Sequence, residues 1–204
     1  MGREFPIQSD LGHRLSVIRI GRRQGQVFFV DAAHFVYGTF WCCLWSFTRL
    51  FVHAASGRQR FNGLGAWNAV TRQLVSVTNT TVVNTATMCE LLHKIAELGL
   101  TGPITLVLDN ARDQRNAVVM ACAEQLGITL LFLQSYSPNL NLIERLWKLI
   151  KRRSLDGRDH PAFANFRGAI EETLTQLPTT YTTNLASLMT LNFQRFENVS
   201  LMAA

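Results

Sequence analysis

Apolar positions fall along this chain in two distinct periods. Val27-Phe28-Phe29-Val30, Ile104–Leu108 and Ile128–Leu133 are continuous runs without polar alternation, the pattern of strands buried on both faces. Elsewhere the spacing is helical. Met88, Leu91, Leu92 and Ile95 form a stripe within Asn84–Leu98, and Gly99 follows as the C′ residue. Val119, Cys122 and Leu126 point inward from Asn116–Leu126, which Gly127 closes. Ile143, Leu146, Trp147 and Ile150 mark a helix from Leu142 onward, and Phe163, Phe166, Ile170 and Leu174 mark another over Pro161–Leu177. A short last helix is expected over Leu185–Phe193.

Between the first run and the first helix the signals are weaker. Phe35 to Phe51 is rich in Val, Tyr, Phe, Trp and Thr and predicts one or two further strands. Ala54 to Asn62 reads as a basic turn. Leu64–Val70 and Gln73–Thr78, parted by Thr71-Arg72, predict a hairpin. Strand, helix and strand from Ile104 to Leu133 make a parallel crossover unit, right-handed by the usual chirality.

At 204 residues the chain is one large domain or a domain with an appendage. A hydrophobic share of 48% excludes wholesale disorder. The net charge of +6 and a pI of about 9.6 favour an anionic partner. Cations cluster at Arg14–Arg23, Arg49–Arg60 and Lys148–Arg158. Cys42, Cys43, Cys89 and Cys122 lack C-x-x-C spacing, so they read as reduced thiols in a cytosolic protein rather than a zinc knuckle. The N-terminus has no signal-peptide core. Ala32 to Thr48 carries no Asp, Glu, Lys or Arg, yet it is short for a span and reads as buried strand, not membrane. His34 and His53 have no neighbouring ligand set and read as packed or surface residues.

Three acids change the picture. Asp31 and Asp109 each end an apolar run, and Glu144 stands in the first turn of a helix whose other faces carry Arg145, Lys148, Lys151 and Arg152. On the residues alone, Glu144 reads as the capping-box partner of an N-cap at Asn141, or as half of an i,i+4 pair with Lys148. Asp31 on its own could be a turn residue. Between Asp109 and Glu144 lie 144 − 109 − 1 = 34 residues.

Asp109-Asn110-Ala111, Tyr136-Ser137-Pro138 and Asn141-Leu142-Ile143-Glu144 together resemble the DDE-type catalytic domain of mariner-like transposases and their bacterial insertion-sequence relatives. In that family a strand ends in Asp-Asn-Ala, a Tyr-Ser-Pro turn follows, and Asn-x-Ile-Glu opens a helix. Leu142 replaces the usual proline at the first helical position, and Gln134-Ser135 stand where a proline is often found. Neither departure touches a presumed metal ligand.

The resemblance implies an α/β architecture: a ribonuclease-H-like mixed β-sheet flanked by helices, with a C-terminal helical extension. Residues 1–25 would be an arm or remnant linker, 26–153 the catalytic domain and 154–204 the extension. It implies DNA strand cleavage and strand transfer, with Asp31, Asp109 and Glu144 binding two Mg²⁺ or Mn²⁺ ions, since all-oxygen ligands select hard cations. Asn110 would support the ligands, though it reads equally well as a turn residue. Lys148, Lys151, Arg152 and Arg153 would meet DNA phosphates, or would be a solvated helix face. Transposon ends and target DNA would be the partners of a homodimer or larger assembly, in the bacterial cytoplasm and near the nucleoid. Only about 25 residues precede the first strand, so a helix-turn-helix end-recognition module is expected to be lacking. A structure-directed nuclease on the same fold, or a catalytically idle DNA-binding remnant, are the competing readings.

Overall fold

The computed structural model describes residues 25–38, 59–109, 112–133 and 141–190. The remaining part of the Phe35–Phe51 strand prediction, most of the Ala54–Asn62 turn, the 136–138 turn, Asn110, His53, Cys42 and Cys43 lie outside the described residues.

Among the described residues five strands form a single sheet: β1 (Gln26–Val36), β2 (Arg60–Asn68), β3 (Leu74–Asn79), β4 (Ile104–Leu108) and β5 (Ile128–Phe132), in the order β3-β2-β1-β4-β5. The β1–β2 and β2–β3 pairs are antiparallel, whereas the β1–β4 and β4–β5 pairs are parallel. The sheet is therefore mixed, with the apolar runs β1 and β4 at its centre. The predicted hairpin is present. Asn68 builds its turn by accepting from the backbone N–H groups of Val70 (2.8 Å) and Thr71 (3.0 Å), and Arg72 takes a left-handed φ of 61°.

Helices cover both faces. α1 (Thr85–Ala96) and α2 (Ala117–Gln125) lie on one, and α3 (Ile143–Ser154), α4 (Phe163–Gln176) and α5 (Thr182–Leu188) on the other. Each face has its own core, and the strand side chains alternate between them. Phe28, Val30, Leu106 and Leu108 meet the α1 stripe of Met88, Leu91, Leu92 and Ile95. Val27, Phe29, Ala33, Phe35 and Val107 meet Ile143, Leu146, Trp147 and Ile150 of α3 and Phe166 and Ile170 of α4. α1 starts on a capping box: Asn84 accepts from the Thr87 N–H at 3.1 Å, and Thr87 accepts from the Asn84 N–H. Gly99 and Gly127 close α1 and α2 with φ of 60° and 66°.

Four expectations need correcting. β1 does not end at Asp31 but continues to Val36, because β2 pairs with it from Phe28↔Asn68 to Val36↔Arg60. β2 begins at Arg60, inside the expected basic turn, for the same reason. Among the described residues β5 is an edge strand paired with β4 alone, so after Ile128 its side chains are exposed, as at Thr129, or only partly buried. Among the described residues the last helix runs over Thr182–Leu188, starting before the expected Leu185 and ending before Met189, while residues 191–193 of the expected helix lie outside them. α4 stops at Gln176 ahead of Pro178, which cannot continue a helix, and α5 follows one turn later.

Candidate active site

The register of the central strands decides where the first two acids stand. Val30 of β1 pairs with Leu108 of β4, and the pairing ends there. Asp31, next in β1, and Asp109, the first residue beyond β4, therefore follow the last pair of adjacent parallel strands. Asp31 shares the face of Phe29 and Ala33, and Asp109 continues the parity of Val107, so both belong to the face covered by α3.

Glycines bring α3 close to that face. Gly65 is the β2 partner of Asp31. A Cβ at Gly65 would lie 2.8 Å from the Trp147 ring and 3.0 Å from Ile143 Cδ1, and one at Gly63 would lie 3.3 Å from the same ring. Trp147 thus rests on bare backbone, and the first turn of α3, with Glu144, sits low over the sheet. Trp147 also packs edge-on against Phe35, with ring centroids 6.1 Å apart.

The start of α3 departs from the expected capping box. The cap position falls at Leu142, with no side-chain cap bond, and the Glu144 N–H reaches only the Asn141 carbonyl, at 3.3 Å. Asn141 is 1% exposed. Its Nδ2 donates to the Val30 carbonyl at 3.0 Å and to Asp109 Oδ1 at 3.2 Å. A buried amide must find partners, and the two strand ends offered better ones than the helix did. Sequence reasoning missed this role, because an Asn ahead of an apolar stripe carries the signature of a cap.

The three acids act on one another. Burial, then the charge of Asp109 and that of Glu144, push the Asp31 carboxyl up to about 7, against the opposing pull of the Ala32 N–H and Lys151. Burial raises Asp109 as well, and the bond from Asn141 partly offsets it. Glu144 is raised by burial and by Asp109, and lowered by Lys148. Like charges held in one low-dielectric place disfavour ionisation. Among the described residues no three His, Cys, Asp or Glu side chains have closed into a ready metal cage. The acids stand within electrostatic reach of each other without converging on one point.

The cations divide between two flanks. Glu144, Lys148 and Lys151 recur at i, i+4 and i+7 along one face of α3. Lys148 and Arg152 are exposed, while Lys151 is half-buried with its Nζ 5.7 Å from the Phe35 ring centroid. Arg153 lies on the far flank, its guanidinium 5.4 Å above the Tyr181 ring at the start of α5. His34 is exposed and bonded to Asn62 Oδ1 at 2.8 Å, a surface residue as expected. Cys89 and Cys122 are free thiols on the opposite face of the sheet.

A sequence profile described as DDE superfamily endonuclease matches residues 26–167. The chain belongs to that family. The comparison with curated proteins gives no match. Among solved structures, this DDE endonuclease domain is similar to the Mos1 mariner paired-end complex with Mn, at 15% identity and a TM-score of 0.61, covering 97% of this chain and 67% of that one. The Mos1 strand transfer complex gives 15%, 0.59, 97% and 66%. The HTLV-2 integrase catalytic core domain in complex with magnesium gives 14%, 0.51, 77% and 88%. At such identities the likeness is one of fold, and it is the expected ribonuclease-H-like fold. The DDE domain spans about two thirds of the length of the Mos1 chains. Its oxygen donors Asp31, Asp109 and Glu144 have the chemistry of a site for a hard divalent cation. Among the described residues no helix is long and apolar enough to cross a membrane.

Proposed function

We propose that residues 26–153 are the catalytic domain of a transposase that cleaves DNA strands at transposon ends and joins them to target DNA, with 154–204 as a helical extension. Asp31, Asp109 and Glu144 hold two Mg²⁺ or Mn²⁺ ions. Such ions, when bound, polarise a phosphodiester and lower the pKa of an attacking water or 3′-hydroxyl. The chain's own part is to orient. Asp31 and Asp109 supply a fixed pair of carboxylates from a rigid sheet, and Glu144 supplies the third from α3. Lys148, Lys151 and Arg152 run on from Glu144 along its helix and offer charge to the DNA backbone. Arg153, over Tyr181, would meet DNA only from the other flank. Asn110, the next residue in the sequence after Asp109, supports the ligands. The protein works on DNA as a homodimer or larger assembly.

One observation carries this reading. Adjacent parallel strands present Asp31 and Asp109 at the same level beneath the helix that bears Glu144, and all three carboxyls are raised by burial, with Asp109's charge bearing on the other two. A chain that kept these acids only for solubility would hold them apart in water.

The test is metal-dependent nicking of supercoiled plasmid. Glu144→Gln and Asp109→Asn should each lose nicking by at least about 100-fold at unchanged helix content, since a neutral amide cannot match a carboxylate's charge at a divalent ion. Nicking retained within a few-fold by both variants, in preparations free of host nucleases, would remove the acids from the chemistry.

A further inference from the structure

Asn141 is bonded towards all three acids at once. Its two amide hydrogens go to the carbonyl of Val30, the residue before Asp31, and to Asp109 Oδ1. Its backbone carbonyl takes the N–H of Glu144. Both side-chain partners are acceptors, so the amide can face only one way. The arrangement has a cost, because Asn141 Oδ1 is left buried without a hydrogen-bond partner. An asparagine serving as a helix cap would turn that oxygen to the N–H groups of the first turn. Here the cap is given up and the bridge between the strand ends is kept.

We infer that Asn141 is a positioning residue: its amide fixes the Asp109 carboxylate in one orientation beside β1 and ties the start of α3 to that pair, so that the three acids accept a divalent cation together. The inference rests on the metal-dependent reading proposed above. One oxygen of Asp109 is occupied by the amide, which aims the other. The tie from Asn141 to Val30 holds the entry to α3 against the strand that carries Asp31. Without the amide, Asp109 is free to rotate and the start of α3 loses its hydrogen bonds to both strand ends.

Two substitutions separate donation from space-filling. Asn141→Leu keeps much of the volume and removes the donor, and Asn141→Ala removes both. Mn²⁺ is titrated against each variant with thermal unfolding as the readout, and nicking is followed in parallel. Loss of a residue that orients ligands typically weakens metal affinity about 10–100-fold. We expect both variants to need that much more Mn²⁺ for half-maximal stabilisation, Leu as much as Ala. A Leu variant that matches wild type in its Mn²⁺ requirement makes Asn141 a spacer and overturns the inference alone. A wild type that responds to neither ion overturns the metal reading and this inference with it. Wild-type protein labelled with ¹⁵N-asparagine gives a check that needs no variant to fold. The Asn141 side-chain amide signals should move during a Mg²⁺ titration, at the same midpoint as a wild-type thermal shift measured with Mg²⁺. Signals that stay fixed while the protein is stabilised overturn the inference.

Discussion

Asp31 shows how much one residue's surroundings alter its chemistry. Its sequence context, a carboxylate after four apolar residues, made it a candidate, and the strand runs on past it to Val36. The pleat then commits its side chain to the α3 face beside Asp109. Its pKa in the metal-free fold is about 7, against an ordinary value of 3.8. A raised carboxyl pKa means the folded state holds a proton that the unfolded chain has released. Stability from this group is therefore fully present below pH 3.8, falls as pH rises towards 7 and is flat above it. The gap sets a ceiling of ~4 kcal/mol. In EDTA the melting temperature of the wild type should drop between pH 5 and 7.5. Asp109→Asn, which removes the largest like charge facing Asp31, should show a shallower drop. Parallel pH profiles for the two proteins would mean that the acids do not share a field.

At the scale of elements, most of the fold was legible because burial imposes a period. The stripes of α1 and α3 were read residue by residue, and all their members are buried. What could not be read was pairing. Whether β1 stops at Asp31 or continues depends on β2, where the partner of Asp31 is Gly65, 65 − 31 = 34 residues on, and the edge position of β5 depends on the strand order. Asn141 was misread for a related reason: its hydrogen-bond partners, Val30 and Asp109, are remote in sequence. The two glycines of β2 are equally silent in the sequence and have a clear use in the fold. They let Trp147 lie against backbone and so set the height of Glu144 above Asp31. Gly65→Ala places a methyl 2.8 Å from that ring and should destabilise by about 1–3 kcal/mol through overpacking, with nicking lost well beyond the fraction unfolded. Trp147 Nε1 has no hydrogen-bond partner among the described residues, so Trp147→Phe forfeits none there and makes room. Thermal unfolding and nicking of the double variant Gly65→Ala/Trp147→Phe should recover part of both losses. A double variant no better than the sum of the singles would show that Trp147 does not set the seat of α3.

Over the whole molecule, the net charge of +6 is modest, and its disposition matters more than its size. Lys148, Lys151 and Arg152 continue from Glu144, so the charge nearest the acids is positive on the side where a phosphate backbone would lie. Arg153 is only one residue further along, yet the helical turn carries it to the Tyr181 flank. This gives a test with an internal control. Duplex binding by the full chain, measured in EDTA across a salt series, should follow a straight line of log affinity against log salt, with a slope that counts phosphates neutralised at about 0.9 each. The triple substitution Lys148→Ala, Lys151→Ala and Arg152→Ala should flatten that slope by about 2–3, by the same amount on unrelated sequences, since phosphate contacts carry no sequence information. Arg153→Ala should change the slope far less and lower the melting temperature instead, because its guanidinium is engaged with an aromatic ring of the same fold. Equal slopes for the triple variant and the wild type would mean that DNA does not lie along this face of α3. A large effect from Arg153 alone would move the path of the DNA to the α5 side of the helix.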